Sequence, residues 1–66
     1  MWTLKYYRYC SDCVFKAPTK EEALDFGVFG EDIGSLSMYM LIDPDGNVAM
    51  NEKDLTHYYV HEAEHV

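Results

Sequence analysis

The sequence predicts an α+β domain in which a small antiparallel sheet of about three or four strands packs against one helix, followed by a C-terminal helix or strand. Three observations carry that expectation: an alternating aromatic run at the start, a capped helix signal, and a turn-forming stretch between two apolar runs. A chain of 66 residues has room for one core, so residues 1–66 are expected to form a single compact domain. No repeat, low-complexity tract or linker marks an internal boundary.

From Trp2 to Tyr9 the chain alternates imperfectly and is rich in aromatic residues, which favours a strand. Cys10 to Cys13 is expected to turn the chain, with Val14, Phe15 and Lys16 forming a short returning strand. Thr19-Lys20-Glu21-Glu22, just after Pro18, fits the capping-box pattern. Ala23, Leu24, Phe26 and Val28 then supply the buried face of a helix that Gly27, Gly30 and Gly34 are expected to weaken and end. Ser37 to Ile42 is apolar and strand-like, and Asp43 to Asn47 carries turn residues, with Gly46 or Asn47 suited to a positive φ. A hairpin should therefore bring Val48, Ala49 and Met50 back against Met38 to Leu41. Asn51 and Asp54 mark a helix start for the tail, although Thr56, Tyr58, Tyr59 and Val60 also suit a strand; a helix is the favoured reading.

Hydrophobic residues make up 48% of the chain and aromatics 15%, too apolar for intrinsic disorder. The formal charge of −7 opposes direct binding to nucleic-acid phosphates. It favours fast, salt-sensitive encounter with a protein that has a basic surface, such as a nucleic-acid-processing enzyme. The plain alternative is that these carboxylates only keep the domain soluble. No apolar run is long enough to span a membrane, and the first residues lack a basic segment followed by an apolar stretch, so the expected location is cytoplasmic.

The most specific local feature is Cys10-Ser11-Asp12-Cys13, because thiolates at this spacing on a tight turn can grip one metal ion. With Phe15 and the helix that follows, the segment from Tyr9 to Leu24 resembles zinc-finger-like small domains, about a quarter of the chain. It departs from them in offering Phe26 and Phe29 where such fingers place histidines. His57, His61 and His65 recur every four residues, so on a helix they share a face. A structural zinc held by Cys10, Cys13, His61 and His65, with His57 as a substitute, would reinforce a thin core. The competing reading is two small buried thiols and a few surface histidines.

Two enzyme readings compete less well. His61-Glu62-Ala63-Glu64-His65 matches the H-E-x-x-H pattern of zinc peptidases, in which Glu62 would activate water, but Glu64 puts a charge where those enzymes carry an uncharged residue. Dithiol redox chemistry at Cys10 and Cys13 calls for a helix N-terminus, and this pair precedes a strand. Asp43, Asp45 and Asn47 alternate as in a calcium loop, yet Gly46 comes one residue early, so the segment reads as a turn.

The leading expectation is therefore a small acidic protein-binding module, an inhibitor or adaptor of the kind phages encode, and not an enzyme. Glu21, Glu22, Asp25, Glu31 and Asp32 form the densest acidic stretch and would steer it. Tyr39, Tyr58 and Tyr59 would add contact area, since tyrosine is a large, stiff, amphipathic interface residue. Trp2, Tyr6, Tyr7 and Tyr9 enlarge an aromatic set that exceeds what so small a core can hide, and Met38, Met40 and Met50 add adaptable surface.

Overall fold

The structure, a computed structural model, describes residues 1–61. Its elements run β1 (Trp2–Arg8), β2 (Ser11–Ala17), α1 (Lys20–Asp32), β3 (Ser37–Ile42), β4 (Val48–Met50) and α2 (Glu52–His61). The strands form one antiparallel sheet in the order β2-β1-β3-β4. The α+β expectation holds, and the tail is helical up to His61.

The order of elements repeats: hairpin then helix, twice, with β1 and β3 adjacent at the sheet centre. The sequence shows no matching repeat of residues, but both helices start by the same chemistry. In α1 the Glu22 N–H donates to Thr19 Oγ1 at 3.2 Å. In α2 the Asp54 N–H donates to Asn51 Oδ1 at 2.9 Å and the Asn51 N–H to Asp54 Oδ2 at 3.2 Å, a reciprocal box with Asp in the third helical position.

Alternation along β1 sends Trp2, Leu4 and Tyr6 to the helix side, with Leu4 and Tyr6 buried. Leu4 pairs with Leu41 across the sheet centre. Both are fully buried, as is Leu55 of α2, so the two helices share one core on one face of the sheet. Phe26 clamps α1 to the sheet, stacking on Phe15 of β2 at 3.9 Å and tilting against Tyr6 of β1 at 5.5 Å.

Three local expectations need correction. The first turn is not at Cys10–Cys13: Tyr9 (φ 51°) and Cys10 (φ 69°) form a two-residue loop, Arg8 pairs with Ser11, and β2 runs over seven residues. Gly27 and Gly30 do not end the helix. They sit inside α1 because the sheet and the segment leading into β3 lie too close for a side chain, a Cβ at Gly27 falling 2.5 Å from Met38 Sδ and one at Gly30 against the Leu36 side chain. The stop comes after Asp32, where Gly34 takes a positive φ of 75° and its N–H bonds to the Glu31 carbonyl while the Ser35 N–H bonds to that of Gly30, a Schellman closure. In the second hairpin the register is offset: Leu41 pairs with Met50 and Ile42 with Val48, with Ala49 as the extra residue of a bulge. Its turn is closed by Asp43, whose Oδ1 accepts from the N–H groups of Asp45 and Asn47, and Gly46 supplies the expected positive φ.

Candidate functional site

The helices cover one face of the sheet, so the outward side of α1 and the opposite sheet face remain exposed. On α1, residues three and four apart stack into a ridge. Glu21, Asp25 and Phe29 follow one another at that spacing, and Asp32 and Ile33 extend the line. All five are exposed, Phe29 at 66% and Ile33 at 60%, which places two of the domain's exposed large apolar side chains in line with three carboxylates. Glu22 is exposed beside them. The first turn of α1 is acidic and its last turn holds no basic residue. The acids Glu21 and Asp25 thus lead into an apolar tip.

Glu31 differs from its neighbours. It is partly buried, and its Oε2 accepts the Met38 N–H at 3.3 Å, beside the bulge where Tyr39 is the extra residue of β3. Burial pushes its carboxyl above the ordinary 4.5, and the Met38 hydrogen bond offsets part of that rise. Glu31 therefore serves the helix–sheet junction. Asp32 Oδ1 accepts from the Tyr59 hydroxyl at 3.4 Å, which joins the ends of the two helices.

The tyrosines expected to act with these acids are divided between faces. Tyr58 and Tyr59 are half-buried against the core. Tyr39 lies on the open sheet face, stacked on Tyr7 at 4.6 Å, and donates to Asp12 Oδ1 at 2.7 Å. That bond to a carboxylate is the largest cause pushing the Tyr39 phenol up to about 12, with desolvation and the Asp12 charge adding to it. Tyr39 cannot share one flat interface with the α1 ridge. The exposure of Phe29 and Ile33 is not among the features the sequence reading singles out, although their spacing from Glu21 and Asp25 is legible in it.

The expected metal ligands are placed as follows. Cys10 is exposed at the tip of the first hairpin, whereas Cys13 lies within β2, half-buried against the core. His57 and His61 are neighbours on α2, ring centroids 4.4 Å apart. His65, and Glu62 of the peptidase pattern, lie outside the described residues. Among the described residues no group of three His, Cys, Asp or Glu side chains converges on a point where a metal ion could be held. No helix among them is long and apolar enough to cross a membrane. No protein-family model, curated protein or solved structure matches this chain.

Proposed function

We propose that the protein is a small acidic protein-binding module whose α1 ridge docks onto a basic surface of another protein, as an inhibitor or adaptor of the phage type would. The observation that carries this reading is the exposure of Phe29 and Ile33 in line with Glu21, Asp25 and Asp32. Carboxylates accelerate encounter with a basic patch, and a desolvated aromatic anchor then slows release. A cleft that normally holds nucleic acid supplies both the charge and the flat apolar surfaces such an anchor fits.

Affinity purification with the wild-type chain, the Glu21→Lys/Asp25→Lys pair and Phe29→Ala tests it. The expected result is one captured protein whose binding falls with salt, is abolished by the double reversal, and dissociates about tenfold or more faster from Phe29→Ala. Capture that is indifferent to salt and to all three substitutions would overturn the reading.

A further inference from the structure

We propose that the free edge of β2 is a self-association site, where a second copy of the chain adds its own β2 antiparallel to the first and joins two sheets into one. The two edges of the sheet are unlike. β4 has three residues and a bulge at Ala49, which shortens and twists that edge. β2 has seven residues, pairs with β1 without a register shift, and contains no proline. Nothing among the described residues covers its outer side.

Hydrogen-bond parity fixes which groups that edge offers. A two-residue loop is closed by the pair next to it, so Arg8 and Ser11 exchange hydrogen bonds, and along the ladder Cys13, Phe15 and Ala17 likewise face β1. The N–H and C=O groups of Asp12, Val14 and Lys16 therefore point away from the sheet. A twofold pairing centred on Val14 sets Val14 against Val14, and Asp12 against Lys16, of the second copy. All three outward residues of each strand then find hydrogen-bonding partners, which no odd register allows.

The side chains favour the same register. Asp12, Val14 and Lys16 are exposed on the open sheet face, Val14 at 53%. The strand Asp12-Cys13-Val14-Phe15-Lys16 is charge-complementary to itself when reversed: each copy contributes a carboxylate opposite an ammonium, on either side of a Val–Val contact. Asp12 Oδ1 already accepts from Tyr39, and Oδ2 is left for the lysine. On the other face, Cys13 and Phe15 are half-buried, and the same register sets Cys13 of each copy opposite Phe15 of the other, beside the Phe15–Phe26 stack. Lysine on an edge strand ordinarily discourages pairing. Here its placement four residues from an aspartate turns that repulsion into selection for a second copy in one register. The α1 ridge stays exposed, so this association and partner binding succeed or fail independently.

Sedimentation equilibrium near physiological salt tests the proposal. The expected result is a concentration-dependent species of twice the 7.7 kDa chain mass. Val14→Pro removes an outward N–H, which β1 does not use, so the chain should stay folded by circular dichroism and become monomeric. Lys16→Glu sets two pairs of like charges facing each other and should weaken the dimer about tenfold, while the Asp12→Lys/Lys16→Asp swap, which restores opposite charges, should recover it. If Val14→Pro fails to fold, the charge pair decides alone. A wild-type chain that stays monomeric at millimolar concentration, even one whose edge takes up an unrelated extended peptide, overturns the proposal. So does a dimer indifferent to Lys16→Glu.

Discussion

Tyr9 and Cys10 hold the first hairpin closed with left-handed backbone at two residues that have a Cβ. Each such residue costs about 1–2 kcal/mol relative to glycine. The sequence carries no Asn-Gly or Gly at this point, so residue type alone points to the cysteine pair and not to the two residues that make the turn. Replacing Tyr9→Asn and Cys10→Gly supplies the residues this turn geometry prefers and should stabilise the protein by roughly 1–2 kcal/mol in urea unfolding. A loss of stability on removing Cys10 would contradict a free hairpin tip and point to a metal held there. A second prediction concerns Tyr39. Its phenol is raised from the ordinary 10.0 to about 12, so the folded state keeps a proton that the unfolded state has lost in that window. The stability this proton confers is therefore complete below pH 10 and is lost as the pH rises toward 12. Ultraviolet titration of the folded protein should contain a phenolate step delayed to about 12, and Asp12→Asn should remove the delay.

Among the elements, α1 shows what periodicity reveals and what it hides. Its start was legible, because Thr19 and Glu22 announce a cap by residue type alone. Its length was not, because a glycine that weakens a helix and a glycine that lets a helix approach a sheet look identical in sequence. The same limit applies to the bulges at Tyr39 and Ala49, which arise from how strands fit together and have no local residue signature. Gly30→Ala separates the two meanings of glycine. Helix propensity alone favours the substitution by about 1 kcal/mol. The added Cβ would lie 2.3 Å from Leu36 Cδ2 and 2.4 Å from its branch carbon, so the buried Leu36 must move as a whole. Overpacking of this kind costs roughly 1–3 kcal/mol, and the net change should be a lower melting temperature. A rise in melting temperature would mean that α1 stands further from Leu36 than the packing requires. The acidic stretch was equally legible as composition, yet only the helix phase separates the exposed ridge of Glu21, Asp25 and Asp32 from Glu31, which turns inward to the Met38 N–H.

At the scale of the whole molecule, the chain carries a charge of −7, and its described residues form a body whose longest extent is 29 Å. At about 0.01 M salt the screening length is roughly 30 Å, so each carboxylate feels all the others; at 0.15 M it is roughly 8 Å, and only neighbours interact. Self-repulsion opposes the compact state and is weaker in the expanded one. Sodium chloride raised across that range should therefore increase the melting temperature by about 4–8 °C, the change that roughly 1 kcal/mol of relieved repulsion produces in a domain of this size. The same salt should weaken the proposed partner complex, because there the charges attract. Glu21→Lys with Asp25→Lys should flatten both responses, since it reduces the net charge and removes the steering carboxylates together. If the melting temperature instead fell as salt was added, attractive charge pairs within the fold would outweigh the net repulsion. The acidic surface would then be holding the domain together, with less of it free to meet a partner.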